Sequence, residues 1–297
     1  MGKRSLHNAT TRESFMWGWI LILPTVLGLL VLNIYPMLMT VYQSFCKTGD
    51  FGRGNVFIGI KNFQKLYLDS SVGQAVINTL KYTLFQVPFS VVIALVLAVM
   101  LNRNIRGRST YRTIFFLPMV VAPAAIAMVW RWLYNSRFGL INNLFNSDIN
   151  WISNPKLAVY SIAVIGIWSD IGYNMILFLA GLQEVPKDFY EAADLDGASG
   201  IQVFRHITVP MISPTLFFVI VTRMIAAMQV FDLIYMIMEK SNPALAKTQS
   251  LVYLFYQSSF VERDLGYGST IVVLLLAIIL LLTVIQMIAQ KKWVHYN

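Results

Sequence analysis

The sequence contains very few of the residues that bind metals or form cross-links. Among its 297 residues there is one cysteine, Cys46, which excludes a disulfide within the chain. The three histidines, His7, His206 and His295, lie far apart in the sequence, so they lack the ligand spacing of a zinc site. We therefore predict no metal site.

Charged residues are also scarce. Asp, Glu, Lys and Arg make up 12% of the chain, against about 25% in an ordinary soluble domain. The hydrophobic share is 57%, and its long apolar runs favour a polytopic membrane protein over a soluble one. The net charge of +9 comes from basic residues that flank these runs, without a dense basic patch, so nucleic acid is not a predicted partner.

Motifs for catalysis or nucleotide binding are missing. The sequence has no G-x-x-x-x-G-K-[ST] loop for nucleotide phosphates, no H-E-x-x-H and no G-x-S-x-G. A membrane-embedded enzyme would need a convergent set of catalytic side chains, which we do not find. We predict no catalytic residue and a chain that is not an enzyme.

Six apolar runs are each long enough for the roughly 20 residues that a membrane-spanning helix needs. They cover residues 16–43, 75–101, 113–134, 157–182, 214–238 and 269–289. Prolines inside these runs are compatible with helices, because neighbouring helices can satisfy the freed backbone groups. We predict an all-α integral membrane domain of six transmembrane helices (16–290), between a basic tail (1–15) and a short tail (291–297).

The distribution of arginines predicts the orientation of the domain. One short loop holds an arginine cluster, which consists of Arg103, Arg106, Arg108 and Arg112. The positive-inside rule weighs basic residues in short loops close to span ends. The N-terminal tail and Lys291-Lys292 add basic residues on the same side. We therefore place both termini and the arginine cluster in the cytoplasm.

The longest polar interruption between two apolar runs, residues 184–214, has the pattern of a helix–turn–helix. Carboxylates at three- and four-residue spacing predict one acidic helical face: Glu184, Asp188, Glu191 and Asp194. The opposite face would carry Val185, Phe189, Ala192 and Ala193. Asp196-Gly197 predicts the turn, since glycine readily adopts positive φ. Ser199 can cap a second helix that Pro210 ends, and Pro214 would begin the next span.

The charge of this helix–turn–helix indicates what it contacts. A helix that lies on a membrane surface usually has a basic polar face, which attracts anionic lipid. Between Glu184 and Arg205 there are five acidic residues and two basic ones, so anionic headgroups would repel it. We predict that the segment docks into a basic groove of a soluble protein on the cytoplasmic side.

Polar residues in the fourth and fifth runs are candidates for a translocation pathway. Charged groups inside a bilayer are costly, so they usually face a cavity or a partner. The candidates are Asp170, Tyr173, Asn174, Arg223, Gln229 and Asp232. Helical spacing puts Gly166, Asp170, Tyr173 and Asn174 on one stripe, and Thr222, Ala226 and Gln229 on another. Asp232 would lie about 60° around the helix from Gln229.

A structural interpretation of the same residues stays open. Asp170 and Arg223 would then form an ion pair between helices, since Arg223 lies one residue off the stripe of the fifth run. Tyr173 and Asn174 would provide packing and hydrogen bonds between helices.

Short motifs in and around the helix–turn–helix are similar to those of a known family. They are Glu191-Ala192-Ala193, Asp196-Gly197-Ala198, Phe204, Ile207 and Pro210. Together they resemble the EAA loop of the permease subunits of binding-protein-dependent ABC importers. Further stretches resemble the carbohydrate-importing branch of that family: Asn78-Thr79-Leu80, Arg106-Gly107 to Leu117-Pro118, and Leu179 to Gln183. The likeness extends over residues 17–290.

The resemblance implies a type I ABC importer permease in the cell membrane of a prokaryote. Its substrate would be a sugar, an oligosaccharide or a charged sugar derivative. The implied partners are a second, homologous permease subunit, two copies of a cytoplasmic ATPase that holds ATP and Mg, and an extracellular solute-binding protein. No cofactor is expected in this chain itself.

The resemblance also implies roles for individual residues. In this family the EAA loop forms coupling helices that lie in a cleft of the ATPase. Glu191 would pair with basic groups of the ATPase, Ala192 and Ala193 would allow close packing, and Gly197 would form the bend between Asp196 and Ala198. In the maltose permease of this family, residues of the core helices that match the fourth and fifth runs contact sugar. The resemblance therefore implies substrate contacts for Asp170, Tyr173 and Gln229, although the residue types at these positions differ.

Two questions about transport stay open at this stage. The alternative to an importer subunit is an ion-coupled secondary transporter that uses Asp170, Arg223 and Asp232. Inverted repeats would favour that alternative, but we find no convincing internal repeat. Within the importer interpretation, Arg223 suggests an anionic substrate, whereas an ion pair between helices is equally consistent with a neutral oligosaccharide.

Overall fold

The computed structural model describes residues 3–49, 54–103 and 105–295, and most of them are helical. The helices are α1 (Lys3–Leu29), α2 (Tyr35–Ser44), α3 (Lys61–Leu68), α4 (Ser70–Asn102), α5 (Arg108–Val120), α6 (Pro123–Leu133), α7 (Leu140–Phe145), α8 (Ala158–Glu184), α9 (Lys187–Leu195), α10 (Gly200–Val203), α11 (Val209–Met211), α12 (Ser213–Met228), α13 (Asp232–Ile237), α14 (Leu251–Tyr256) and α15 (Leu265–Gln290). Turns of π-helix occupy Leu30–Ile34, Phe204–Thr208 and Gln257–Val261, and a 3₁₀ turn occupies Leu245–Lys247. Strands β1 (Cys46–Thr48) and β2 (Gly54–Phe57) form one antiparallel hairpin that pairs Cys46 with Phe57.

Four helical segments are long and apolar enough to cross a membrane. They are Ser14–Ser44, Ser70–Asn102, Ala158–Glu184 and Leu265–Gln290, and they confirm the first, second, fourth and sixth predicted spans. Two pairs of helices bring the number to six if each bent pair is one span. Helices α5 and α6 meet at 99°, and Gly200–Met211 meets α12 at 71°.

The third predicted span is wrong as a single helix. Helix α5 ends at Val120, and the chain is extended at Val121 and Ala122 before α6 begins at Pro123. The ring of a proline disfavours the helical conformation at the residue that precedes it. Pro123 therefore breaks the apolar run, although Pro118 is tolerated within the last turns of α5.

The fifth predicted span is also interrupted. Helix α12 ends at Met228, and a separate helix, α13, begins at Asp232. The hydroxyl of Ser250 donates a hydrogen bond to the carbonyl of Val230 over 2.5 Å, which fixes the non-helical segment between them. Asp232 therefore does not lie 60° from Gln229 on one helix, but in the first turn of α13, where an acidic side chain is favourable.

Helices α4 and α8 form the centre of the fold. Ala94 and Ala98 of α4 are buried against α8, which contributes the buried Ile162, Ala163 and Phe178. Small residues allow helix backbones to approach closely inside a membrane. Helices α5 and α12 pack on this central pair. By contrast, the apolar part of Ser14–Ser44 buries none of its residues within the described chain, and α2 contacts α15.

Side chains from four elements meet at the start of α15. Asp264 accepts hydrogen bonds from the backbone N–H of Tyr267 (3.1 Å) and from Thr48 Oγ1 (2.8 Å). Lys65 of α3 donates to the same carboxylate over 3.3 Å and lies above the ring of Tyr267. The hydroxyl of Tyr267 donates to Asp69, the residue before α4, over 2.6 Å. This clasp joins the hairpin and α3 to the first turns of α4 and α15.

The clasp makes stability at this end of the molecule depend on pH. Burial raises the pKa of Asp264, but the hydrogen bonds from Tyr267 and Thr48 and the charge of Lys65 together lower it by more, so the pKa is below its ordinary value. A depressed pKa in the folded state means that stabilisation is complete above the ordinary value. It is lost as the pH falls through the folded-state pKa.

We expect Asp264→Asn to lower the unfolding temperature at pH 7 and to reduce the loss of stability between about pH 5 and pH 3. The amide cannot form the ion pair with Lys65, and it does not titrate. Thermal unfolding in detergent across this pH range measures both effects. Asp148→Asn, at an exposed carboxylate outside the clasp, is the control. An Asp264→Asn profile parallel to that of the unaltered protein would contradict the role of the clasp.

Candidate functional site

A cavity of about 330 Å³ lies beside the central helix pair, near the break between α12 and α13. Its wall is mostly apolar, with contributions from α4, α5, α6, α8, α12 and α13. The polar side chains in its wall are Tyr82, Gln86, Ser169, Asp170, Arg223, Gln229 and Asp232. A concave, largely apolar pocket with a few convergent polar groups is the usual form of a small-molecule site.

An ion pair joins two walls of this cavity. Arg223 Nη1 of α12 lies 2.9 Å from Asp170 Oδ1 of α8. Gln86 of α4 donates from Nε2 to the other carboxylate oxygen over 2.6 Å, so three helices meet at one carboxylate. The guanidinium of Arg223 also lies 5.1 Å from the ring centroid of Tyr173, a cation–π distance. The pair predicted as the structural alternative is therefore present, and it lies in the cavity wall.

The structure brings most of the predicted pathway residues together, with one exception. Asp170, Arg223, Gln229 and Asp232 line the cavity. Tyr173 is not part of its wall, but its ring lies beside the guanidinium of Arg223. Asn174 does not belong to this group. It is fully buried between helices, and neither polar atom of its amide has a hydrogen-bond partner among the described residues.

Sequence reasoning missed the contribution of α4 to this cavity. Tyr82 and Gln86 lie four residues apart on one face of that helix, and both are buried. Polar residues at this spacing inside an apolar helix are a recognisable signal. Gln86 is the more informative of the two, because it hydrogen-bonds to Asp170.

The helix–turn–helix is present, and its turn and cap are formed as predicted. Helix α9 ends at Leu195, and Gly197 has a φ of +69°, which favours glycine. Ser199 then caps the second helix. Its hydroxyl accepts a hydrogen bond from the N–H of Gln202, and the Gln202 side chain accepts one from the N–H of Ser199, a complete capping box.

Two boundaries of this segment differ from the prediction. Glu184 is the last residue of α8 and does not belong to α9, because Val185 precedes Pro186 and is extended. Pro210 does not end the second helix, which continues to Met211 before the bend. The π-helical turn before Pro210 pairs the N–H of Val209 with the carbonyl of Phe204, and this wider turn accommodates the proline.

The outer surface of the helix–turn–helix combines acidic and apolar side chains. Ala193 is buried against the protein, whereas Glu191 and Ala192 are exposed. Phe189, which helical spacing places on the face opposite the carboxylates, has a side chain that is 48% exposed. Leu195, at 90%, is almost fully exposed. Clustered exposed apolar side chains next to charged ones are typical of a protein-binding surface.

The segment shares one end of the helix bundle with the arginine cluster and the C-terminal tail. Arg103 and Asp194 line the same cavity, of about 330 Å³, between the end of α4 and the helix–turn–helix. The backbone N–H of His295 donates to Ser213 Oγ over 2.9 Å. The clasp lies at the first turns of α4 and α15, hence at the opposite end. The helix–turn–helix, the arginine cluster and the C-terminal tail therefore lie at one end of the bundle, as predicted. That this end faces the cytoplasm stays a prediction.

Comparisons with known proteins cover nearly the whole chain. A family model described as "binding-protein-dependent transport system inner membrane component" matches residues 90–295. The probable ABC transporter permease protein YesP of Bacillus subtilis is 32% identical over 293 residues, which are 96% of this chain and 94% of that protein. The sn-glycerol-3-phosphate transport system permease protein UgpA of Brucella abortus is 33% identical over 94% of this chain and 96% of its own. A chain in the crystal structure of a bacterial alginate ABC transporter, solved with an alginate-pentasaccharide-bound periplasmic protein, has the same fold, with a TM-score of 0.83 at 20% identity over 96% of both chains.

Proposed function

Because this chain belongs to the family of binding-protein-dependent transport system inner membrane components, we propose that it is one permease subunit of an ATP-driven importer of a sugar or oligosaccharide. It would work in the cell membrane of a prokaryote, with both termini in the cytoplasm. Its partners would be a second permease subunit, two copies of a cytoplasmic ATPase and an extracellular solute-binding protein. The relatives named above are permease proteins, which gives the ion-coupled alternative no support.

The exposed helix–turn–helix, residues 184–214, carries this proposal. Motion of the ATPases would reach the membrane through α9, with Glu191 in contact with basic groups and Ala192 against the ATPase surface. Exposure of both residues supports this role. Ala193 instead faces the permease, where its small side chain lets α9 lie close to the bundle. Asp196, Gly197 and Ala198 form the bend that joins this helix to the second one.

The cavity would be part of the translocation pathway. Asp170, Arg223 and Gln229 would line the route of the substrate, with Asp232 at the break between α12 and α13. Tyr173 would hold Arg223 in place, and Asn174 would serve only in packing. A cavity between helices that converge on one ion pair can change shape when those helices move as rigid bodies.

The charges of the cavity favour a neutral substrate over an anionic one. Its charged residues are Asp170, Asp232 and Arg223, so negative charge is in excess. Arg223 is already paired with Asp170, and an anion would have to displace that carboxylate. This differs from what the name of UgpA indicates for that relative, since sn-glycerol 3-phosphate is anionic.

We expect Arg223→Gln to impair stability and uptake, because it leaves Asp170 without its counter-ion. Removal of one partner of a buried ion pair costs about 3–5 kcal/mol, and the partial exposure of Asp170 places the cost near the lower end. The double variant Asp170→Asn, Arg223→Gln should recover most of the stability. Unfolding temperature and vesicle uptake measure the two effects. Equal losses in the single and double variants would show that the pair itself is unimportant.

A pull-down from mild detergent tests the function as a whole. The tagged chain should recover a second permease and an ATPase, and one sugar-loaded binding protein should stimulate ATP hydrolysis. Recovery of the chain alone, with solute uptake into vesicles that does not need ATP, would overturn the proposal.

A further inference from the structure

Among the described residues, the arginine cluster forms no ion pair with an acidic side chain, although Arg103 and Asp194 line one cavity. Its four residues lie between the end of α4 and the second turn of α5. No aspartate or glutamate occurs between Asp69 and Asp148, so nothing nearby in the sequence neutralises them. The ion pairs found among the described residues also leave all four arginines unpaired.

Several guanidinium nitrogens of the cluster are buried without an acceptor. Nε of Arg108 and both Nε and Nη2 of Arg112 have no hydrogen-bond partner among the described residues. Buried N–H groups are almost always paired in folded proteins, and an unpaired charged donor is especially costly. Arg108 and Arg112 are four residues apart on α5, hence on the same face of the helix. The arrangement indicates an anionic acceptor that comes from outside the chain.

The exposed surface of α5 next to the arginine cluster indicates where the anionic acceptor is found. Three side chains of α5 at three-residue spacing after Arg108 are exposed and largely apolar, at 49% for Tyr111, 58% for Ile114 and 58% for Leu117. Such a surface suits lipid acyl chains, and a basic end with an apolar continuation is the pattern of a helix at the headgroup boundary. A bilayer with its acyl chains along Ile114 and Leu117 would have its headgroup phosphates at the level of the cluster.

We propose that Arg108 and Arg112, with Arg103 and Arg106 beside them, bind the headgroup phosphate of an anionic phospholipid. The planar guanidinium group donates two parallel hydrogen bonds to phosphate oxygens, which suits this ligand better than a lysine does. A zwitterionic lipid has a positive group beside its phosphate, which would repel the four arginines. An anionic lipid has no such group and is therefore the preferred ligand. The site depends only on the position of the chain in a membrane, and not on the identity of its transport substrate.

Native mass spectrometry of the detergent-solubilised complex tests this site. Phosphatidylglycerol and phosphatidylcholine are titrated against the unaltered protein, the Arg108→Gln, Arg112→Gln variant and the Lys291→Gln, Lys292→Gln variant. The two variants lose the same charge at the same end of the molecule. We expect phosphatidylglycerol to bind at least tenfold more weakly to the arginine variant, and to bind the lysine variant like the unaltered protein. Inorganic phosphate at the same concentrations should not displace the lipid.

Three results would overturn the proposal. One is equal weakening in the two variants, which would indicate general electrostatic attraction, and another is equal affinity for the two lipids. The third is loss of a protein partner from the arginine variant with lipid binding unchanged, which would mean that the arginines face that partner. The Arg108→Lys, Arg112→Lys variant is the control for misfolding, since it keeps both positive charges. It should retain part of the lipid binding and an unchanged unfolding temperature.

Discussion

Gly172→Ala is expected to disrupt the packing of α5 against α8 and to lower the unfolding temperature of the protein strongly. A Cβ atom at residue 172 would lie 2.0 Å from the carbonyl oxygen of Phe115 and 2.8 Å from Cα of Phe116. Both are backbone atoms, which cannot rotate away as a side chain can. The helices would have to move apart by more than an ångström, and their close contacts would be lost. Overpacking usually costs about 1–3 kcal/mol, and we expect about 3 kcal/mol or more here, because no flexible group can yield.

Reaction of the single buried thiol, Cys46, with a thiol-specific dye during heating measures this effect. Gly73→Ala is the matched control, since a Cβ there would meet no atom within 4 Å. It should unfold at the same temperature or higher, because alanine is favoured over glycine inside a helix by about 1 kcal/mol. Similar unfolding temperatures for the two variants would contradict the close approach of α5 and α8.

Glu191→Lys is expected to abolish uptake driven by ATP while the chain stays folded. Glu191 is exposed on α9 and makes no ion pair within the described residues, so its substitution should not affect folding. In the proposed role its carboxylate faces basic groups of the ATPase, and lysine would replace attraction with repulsion. Loss of a desolvated charge pair at an interface costs about 2–5 kcal/mol, so the ATPase should bind roughly 100-fold more weakly.

Co-purification of the ATPase and uptake into vesicles measure this effect. Glu184→Lys makes the same charge change at the same end of the bundle, but on the last residue of α8 and not on α9. That variant should keep most of the ATPase binding and most of the uptake. Normal transport by Glu191→Lys, or equal losses in both variants, would remove Glu191 from the coupling surface.

Local signals in the sequence were enough to predict much of this structure. The long helices α4, α8 and α15 follow from apolar runs of bilayer length, because a chain inside lipid must satisfy its backbone hydrogen bonds by itself. The bend at Gly197 and the cap at Ser199 are equally local, since each depends on one residue and its immediate neighbours. Pro123 itself was a local signal for the break between α5 and α6, but the continuous apolar composition of residues 113–134 predicted one helix.

The candidate cavity was only partly predictable. Asp170 and Arg223 were evident as costly charges inside apolar runs, and pairing between their helices was one of two interpretations. The polar residues Tyr82 and Gln86 were a signal that α4 faces a polar site, but nothing near Gln86 in the sequence indicates that its Nε2 lies 2.6 Å from the carboxylate of Asp170. Asn174 was placed on the same stripe as Asp170 by helical spacing, yet neighbouring helices bury it away from the cavity.

The sequence by itself determined that this chain is a helical membrane protein with a helix–turn–helix at residues 184–214, because these features depend on hydrophobicity and turn residues over short distances. Only the tertiary structure decided where α12 stops. Between Pro214 and Pro243 there is no glycine or proline to interrupt the apolar run. The interruption at Val230 is instead held by Ser250, twenty residues further along the chain. A backbone carbonyl keeps its hydrogen bond within the helix unless another group offers a competing one. The hydroxyl of Ser250 is that group for Val230, and it lies next to Val230 only in the folded chain.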